Sequence, residues 1–159
     1  MQKITPWLWF DTQAEEAATF YTSVFPNSRV LEVSRYGEAG PRPAGEVMTV
    51  SFELDGEQFA ALNGGPEFTF SEAVSFQVAC ESQEEVDRYW AVLTADGGQE
   101  SQCGWLKDKF GVSWQIVPTS LGEILGDPDP ERARRATEAM LKMSRLDIAA
   151  LRRAADEAD

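Results

Sequence analysis

The sequence predicts an α+β fold of two consecutive β-α-β-β-β units followed by C-terminal helices. Each half begins with an apolar strand that leads into an amphipathic helix, and three strand candidates separated by turn residues follow each helix. The two helices also align, because placing Glu15 on Glu84 superimposes their apolar positions at a constant offset of 69 residues. We therefore expect a first unit over residues 1–66, a second over 67–119 and a helical extension over 120–159.

The first unit opens with the buried-strand pattern ITPWLWFD at residues 4–11. Thr12 and Glu15 have the spacing of a capping box and predict the start of a helix, which Pro26 ends. The apolar face of this helix consists of Ala17, Phe20, Tyr21, Val24 and Phe25. Three further strands are predicted at residues 28–36, 46–54 and 58–62.

The second unit repeats this order. A strand is predicted at residues 73–80, and Ser82 and Glu85 form a second capping box. The apolar stripe of the following helix consists of Val86, Tyr89, Trp90 and Leu93. The remaining strands are predicted at residues 99–104, 105–107 and 112–117.

The extension has its own helix signals. The run Asp127-Pro128-Asp129-Pro130 combines a cap with a first-turn proline, and the Ser144-x-x-Asp147 spacing predicts the cap of a second helix. Both helices are rich in alanine and poor in large apolar residues, so they need another surface to pack on. That surface is either the repeat domain of the same chain or a second copy of the protein.

Composition narrows the partner and the compartment. The net charge of −13 argues against nucleic acid or an anionic membrane as the partner, because phosphate binding depends on Lys and Arg. No apolar run of about 18 residues is present, and the first residues lack the order of a signal peptide. The two cysteines, Cys80 and Cys103, fit a reducing compartment, so we expect a cytoplasmic protein.

Histidine is absent from the sequence. Its absence excludes Ser-His-Asp and Cys-His nucleophile systems and His-rich zinc or iron sites. Two interpretations of Cys103 stay open: a reactive thiolate beside Lys107 and Lys109, or a buried, inert thiol.

Four stretches of the sequence carry a family resemblance: WLWFDTQAEEAATFYTSVFPNS, FELDGEQFAALNGGPEF, EAVSFQVACESQEEVDRYW and GWLKDKFGVSWQIVP. Together, over residues 3–145, they resemble the PhnB-like branch of the vicinal oxygen chelate superfamily. This branch carries the name 3-demethylubiquinone 3-methyltransferase-like, and the superfamily includes glyoxalases, bleomycin-resistance proteins and extradiol dioxygenases. The resemblance implies the glyoxalase fold, with curled, mostly antiparallel sheets around a pocket.

The resemblance also implies where a metal would bind. Metal-dependent members carry His, Glu or Gln ligands on the inward faces of the first and last strands of the units. The corresponding positions here are Thr5, Ala73 or Ser75, and Gln115. Because hard cations need several oxygen ligands and zinc or iron needs imidazole, carboxylate or thiolate, we predict no metal and no other cofactor.

Strand alternation assigns the inward faces in this fold. The inward side chains form two aromatic walls with a few amide and hydroxyl groups: Trp7, Trp9, Ser75, Gln77, Ser113 and Gln115. This composition is typical of a small-molecule pocket. In the alternative interpretation, the tryptophans fill a core or dimer seam, and the glutamines bond to each other or to the backbone.

The function predicted from these observations is metal-independent binding of a small, largely apolar or aromatic molecule by a homodimer. The pocket would sequester the molecule or support undemanding acid/base chemistry, and no catalytic residue is identified. The first alternative is a metal-dependent enzyme of the glyoxalase or dioxygenase type. The methyltransferase that the family label suggests lacks a glycine-rich strand-to-helix turn for the methyl donor. A third option is an interaction module whose partner binds the C-terminal helices.

Overall fold

The computed structural model describes residues 2–157 and confirms the repeated β-α-β-β-β order. The first compact unit ends at Phe70, and the second, which includes the C-terminal helices, begins at Ser71. The elements of the first unit are β1 (Trp7–Phe10), α1 (Ala14–Val24), β2 (Arg29–Arg35), β3 (Val47–Leu54) and β4 (Glu57–Asn63). Those of the second are β5 (Ser75–Cys80), α2 (Gln83–Thr94), β6 (Gln99–Glu100), β7 (Trp105–Lys107), β8 (Ser113–Pro118), α3 (Leu121–Leu125), α4 (Pro130–Met140) and α5 (Ile148–Asp156).

The two sheets have the same topology. The strand order is β1-β4-β3-β2 in the first unit and β5-β8-β7-β6 in the second. In each sheet the first and last strands of the unit pair in parallel, and the other pairs are antiparallel. Both sheets are therefore mixed and open, as expected for the glyoxalase fold.

The core of the first unit lies between α1 and one face of its sheet. Tyr21 of α1 is fully buried and stacks on Phe52 of β3, with ring centroids 6.4 Å apart. Phe52 stacks in turn on Phe59 of β4 at 5.6 Å. Buried and half-buried residues alternate along β3, because successive side chains of a strand point to opposite faces of the sheet. One face of this sheet therefore lies against α1, and the other is more exposed.

The capping box predicted at Thr12 is wrong. Helix α1 begins at Ala14, and its N-cap residue, Gln13, makes no capping hydrogen bond with its side chain. The backbone N–H of Ala14 donates instead to Oδ1 of Asn63, at 2.8 Å. A buried side chain from the end of β4 therefore satisfies a free N–H group at the helix start, a part that a local capping box was expected to play.

In the second unit, the cap predicted at Ser82 is confirmed, and one strand is shorter than predicted. Ser82 is the N-cap residue of α2, and its Oγ accepts a hydrogen bond from the backbone N–H of Glu85 at 3.2 Å. The strand predicted over 99–104 covers only Gln99–Glu100. Cys103 and Gly104 have positive φ angles of 58° and 87°, so the chain turns there before β7 begins.

Two other strands begin later than predicted, so residues near their predicted starts lie outside the sheets. Ile4 precedes β1, and Val74 precedes β5. Both side chains are exposed, although the alternation pattern assigned them to the faces that meet the helices. Periodicity identified these strands correctly and extended them too far toward the N-terminus.

The C-terminal helices pack on one another within the second unit, and the segment between α4 and α5 joins them to the rest of that unit. Helices α3, α4 and α5 share a small apolar core that includes Ile124, Ala136 and Leu151. The segment between α4 and α5 lies along the turn before β7, where the N–H of Gly104 donates to the carbonyl of Ser144 at 2.8 Å. The Asp-Pro run is confirmed as the start of α4, which Asp129 caps, whereas α5 begins at Ile148 with Asp147, and not Ser144, as its N-cap residue.

Within residues 2–157, none of the helices has the length and apolar character needed to cross a membrane.

Candidate functional site

Four of the six predicted site residues lie side by side on β5 and β8. The two strands pair in register, so that Ser75 is opposite Ser113 and Gln77 is opposite Gln115. Residues two apart in a strand point to the same side, and directly paired residues do so too. The amide Nε2 of Gln115 donates a hydrogen bond to Oγ of Ser75 at 2.8 Å, in agreement with a shared face.

The opposite face of this sheet is the core of the unit. Trp114 and Ile116 are buried there, and the ring of Trp114 lies 5.5 Å from that of Phe76. Helix α2 packs on this sheet with a face that includes the buried Val86 and Leu93. The assignment of the strand faces from sequence is therefore confirmed for β8.

Two residues that the sequence analysis did not assign to the site also lie on this polar side. Trp105 on β7 is opposite Gln115, and Lys107 is opposite Ser113. We call this side the polar face of the second sheet; it consists of Ser75, Gln77, Trp105, Lys107, Ser113 and Gln115. Trp105 and Lys107 alternate with the buried Leu106, so the sequence could have placed both on the same side of β7. It could not have placed them beside Gln115 and Ser113, because that requires knowing that β7 pairs with β8.

The side chains of the polar face differ in exposure and in hydrogen bonding. Gln77 is exposed, whereas Gln115 and Trp105 are half-buried. Ser113 is only 2% exposed, and its Oγ has no hydrogen-bond partner within residues 2–157. Buried hydroxyl groups usually have a partner, so Ser113 is an unusual feature of this face.

An ion pair crosses the polar face. The ammonium group of Lys107 on β7 contacts a carboxylate oxygen of Glu72, which precedes β5. Because β8 lies between β5 and β7, the pair spans β8 at its first residue, Ser113. The hydrogen bond from Lys107 holds the pKa of Glu72 below its ordinary value, and the charge of Lys107 acts in the same direction.

The two predicted tryptophans lie on β1, in the first unit, and differ from each other. Trp7 is 59% exposed. Trp9 is half-buried, and its indole Nε1 donates to the carbonyl of Gly65 at 2.9 Å. Its ring also meets Phe68 edge-on at 4.9 Å and lies so close to Gly64 that an added Cβ atom would be 2.3 Å from it. These contacts account for Trp9 structurally, whereas Trp7 is available for another contact.

A buried carboxylate that the sequence analysis did not single out shapes the start of β8. Asp108 is 2% exposed, and its Oδ1 accepts hydrogen bonds from the backbone N–H groups of Phe110 and Val112. Its Oδ2 accepts from the indole Nε1 of Trp114 at 2.8 Å. The carboxylate thus joins the β7–β8 turn to the buried Trp114 of β8.

The residues at the positions that the family resemblance assigns to metal ligands do not fit a metal ion. Gln115 uses its amide nitrogen toward Ser75, and the other positions offer only hydroxyl groups or the methyl group of Ala73. Within residues 2–157, no three or more His, Cys, Asp or Glu side chains are grouped so that they could hold a metal. Such a donor set lacks the charged oxygen or nitrogen and sulfur ligands that divalent cations require.

The two thiols lie in different environments. Cys80 is fully buried at the end of β5, and burial raises the pKa of its thiol to about 11. Cys103 is half-buried in the turn before β7, where its backbone N–H donates to the carbonyl of Met143 at 2.8 Å.

The chain is similar to known proteins over most of its length. The family model of 3-demethylubiquinone-9 3-methyltransferase matches residues 2–117. A solved PhnB protein from Bacillus cereus, provisionally named as a member of the same family, is 39% identical, with a TM-score of 0.68. The match covers 74% of this chain and 100% of that protein. No curated protein matches the sequence.

More distant solved structures share the fold alone. A protein from Pseudomonas aeruginosa is 20% identical with a TM-score of 0.61, over 74% of this chain and 98% of that one. The fosfomycin resistance protein FosX from Listeria monocytogenes, solved with Mn(II) and sulfate, is 15% identical with a TM-score of 0.54. That match covers 79% of this chain and 98% of FosX.

Proposed function

This chain belongs to the PhnB-like, 3-demethylubiquinone-9 3-methyltransferase family of the vicinal oxygen chelate superfamily, and we propose that it binds a small, largely apolar or aromatic molecule without a metal ion. The ligand would lie on the polar face of the second sheet. Gln77 and Gln115 would supply hydrogen bonds, and Trp105 would supply an apolar wall.

The observation that carries this proposal is the hydrogen bond from Gln115 to Ser75 beside the exposed amide of Gln77. A half-buried amide whose nitrogen has a partner keeps its oxygen as a directed acceptor. Trp105 lies opposite the same glutamine and is also half-buried. Polar groups of defined direction next to an indole suit an aromatic molecule that carries one or two polar groups.

The family name does not extend to methyl transfer in this proposal. A nucleotide-like methyl donor is usually bound at a glycine-rich turn that leads from a strand into a helix. Here Gly64 and Gly65 follow β4 and lead to β5, whereas Gly97 and Gly98 lead from α2 into β6. Neither pair of glycines occupies a strand-to-helix turn.

Nuclear magnetic resonance of the side-chain amides tests the proposal directly. A library of neutral small metabolites is added to labelled protein, and the NH2 signals of Gln77 and Gln115 are followed. Ligands should shift both signals and the indole signal of Trp105, and Gln115→Ala should weaken binding about tenfold. The exposed amide of Gln13 is the control that should not move. Ligands that shift Gln13 and leave the polar face unchanged would argue against this site.

Metal analysis tests the second half of the proposal. Protein purified without chelators should contain no stoichiometric divalent ion. A divalent ion that is present at one equivalent and lost in Gln115→Ala would contradict the proposal and favour a metal-dependent enzyme.

The quaternary structure and the location are proposed as well. We propose a homodimer, because the first unit leaves several large apolar side chains exposed, including Ile4, Trp7 and Phe68. We propose a cytoplasmic location because the chain contains only two cysteines, which fits a reducing compartment. Light scattering should give twice the mass of one chain. A monomeric mass at micromolar concentration would remove the dimer from the proposal.

A further inference from the structure

The polar face contains one cation whose partner is exchangeable. Lys107 is about one third exposed, and its carboxylate partner, Glu72, is exposed on 62% of its side-chain surface. Ion pairs between exposed groups contribute little net stability, because water solvates both partners well. Another anion on the polar face could therefore replace Glu72 at a low cost in free energy.

Ser113 supplies the second, independent observation. Its hydroxyl lies opposite Lys107 in the β7–β8 pair and opposite Ser75 in the β5–β8 pair. Ser75 Oγ already accepts a hydrogen bond from Gln115, whereas the buried Oγ of Ser113 has no partner within residues 2–157. A buried hydroxyl without a partner is costly, and an acceptor that arrives beside Lys107 would satisfy it.

We propose that the ligand carries a carboxylate, which Lys107 and Ser113 bind together. This inference rests on the ligand site proposed above. Lys107 supplies the opposite charge, and Ser113 supplies an O–H donor. Glu72 competes with the ligand for Lys107. When the ligand binds, its carboxylate replaces that of Glu72, so the ammonium group is paired in both states.

The charge of the site favours a monoanion over a phosphate. Lys107 is the only cationic member of the polar face, and Glu72 lies beside it. The chain as a whole carries a net charge of −13, which repels a dianion more strongly than a monoanion. Trp105 lies two residues before Lys107 on the same strand face, so an aromatic ring next to the carboxylate would meet the indole.

Titrations with benzoate, benzyl alcohol and inorganic phosphate test the inference on the full chain. The indole signal of Trp105 reports binding in each titration. Benzoate should bind at least about tenfold more tightly than benzyl alcohol, which has the ring and a hydroxyl group but no charge. Phosphate should bind more weakly than benzoate.

Three variants distinguish the proposed roles. Lys107→Met and Ser113→Ala should each weaken benzoate binding, the first by about tenfold, and should weaken the binding of uncharged benzyl alcohol by a smaller factor. Glu72→Gln should strengthen benzoate binding by about two- to fivefold, because the competing charge is removed. Lys109→Met is the matched control, since Lys109 lies over the ring of Phe110 in the next turn and should leave binding unchanged.

The possible outcomes separate this inference from the proposed function. Equal binding of benzoate and benzyl alcohol, with both lost in Gln115→Ala, overturns the carboxylate and leaves the small-molecule site standing. Benzoate binding that is unchanged in Lys107→Met, or weaker in Glu72→Gln, also overturns the inference. Phosphate binding tighter than that of benzoate replaces the carboxylate by a phosphate ligand and overturns the inference as stated.

Discussion

The side-chain oxygen Oδ1 of Asn63 accepts a hydrogen bond from the backbone N–H of Ala14, the first residue of α1, across a sequence separation of 49 residues. The Nδ2 group of Asn63 donates to the carbonyl of Val47, and its own carbonyl accepts from the hydroxyl of Tyr36. One buried asparagine thus links the end of β4 to the start of α1, to β3 and to the segment after β2.

Replacing Asn63 by alanine should lower the free energy of unfolding by about 2–3 kcal/mol. The variant loses a helix cap and the hydrogen bond that Asn63 donates to the carbonyl of the half-buried Val47. Thr12→Ala is the matched control, because Thr12 is exposed and does not cap the helix, and it should change stability by less than about 0.5 kcal/mol. Urea unfolding measures both variants, and a larger loss in Thr12→Ala than in Asn63→Ala would restore the local capping box.

The carboxylate of Asp108 should be essential to the second unit. Asp108→Asn keeps one oxygen for the backbone N–H groups but places an NH2 group against the indole N–H of Trp114, so we expect a loss of about 1–3 kcal/mol. Trp114→Phe removes the indole N–H that would face the new NH2 group, so the double variant should lose less than the sum of the single losses. Asp55→Asn, in the exposed turn between β3 and β4, is the control. Additive losses in urea unfolding would show that the two side chains are not coupled.

Gly64 should tolerate no side chain as long as Trp9 is present. Gly64→Ala would place its Cβ atom 2.3 Å from the indole ring, so we expect a loss of about 1–3 kcal/mol from overpacking. Gly37→Ala is the control, since nothing lies within 4 Å of that Cβ position. Adding Trp9→Phe to Gly64→Ala should recover part of the loss in thermal unfolding. If the added phenylalanine recovers nothing, the indole is not the obstacle.

Leu146 should hold the C-terminal helices on the second unit. It is fully buried and lies next to Gly104, and Gln83 donates from its Nε2 to the carbonyl of Leu146 at 3.0 Å. Leu146→Ala should therefore cost about 2–4 kcal/mol. Leu141→Ala is the matched control, because Leu141 is 57% exposed, and it should cost less than about 0.5 kcal/mol. Equal losses in urea unfolding would mean that the buried contact does not stabilise the unit.

The two cysteines should react with iodoacetamide at very different rates. Burial raises the pKa of Cys80 from 9.0 to about 11, which lowers its thiolate fraction at mildly alkaline pH by about 100-fold even before access is considered. Cys103 is half-buried and should be labelled first. Because the fold favours the neutral Cys80 thiol, its contribution to stability should be present below pH 9 and be lost as the pH rises toward 11. Mass spectrometry of the labelled peptides checks the order, and earlier labelling of Cys80 would contradict it.

Much of the fold could be predicted from the sequence, because the apolar periodicity of a helix or a strand is a local property. The buried Val86, Trp90 and Leu93 of α2 follow from their spacing, as does the alternation of Trp114 and Ile116 in β8. The cap at Ser82 could also be predicted, because donor and acceptor are three residues apart.

The polar face was only partly predictable. Ser75, Gln77, Ser113 and Gln115 share a side because of alternation within β5 and β8, but their contacts depend on the register between the strands. Lys107 and Glu72 were not assigned to the site, because their side chains meet across β8 only after three strands have paired. A shift of one residue in the register between two strands would move the side chains of one strand to the opposite face of the sheet. The lengths of the strands alone do not specify this register.

The sequence by itself determined the order of the elements, their apolar faces and the absence of histidine chemistry. Tertiary structure decided which polar side chain bonds to the free N–H groups at the start of α1. Thr12 lies at the right distance along the chain to cap α1, yet Asn63 does so, because parallel pairing of β1 with β4 places Asn63 beside Phe10, just before the helix begins. An N–H group can bond to any acceptor of suitable geometry, and only the packed sheet determines which acceptor is near.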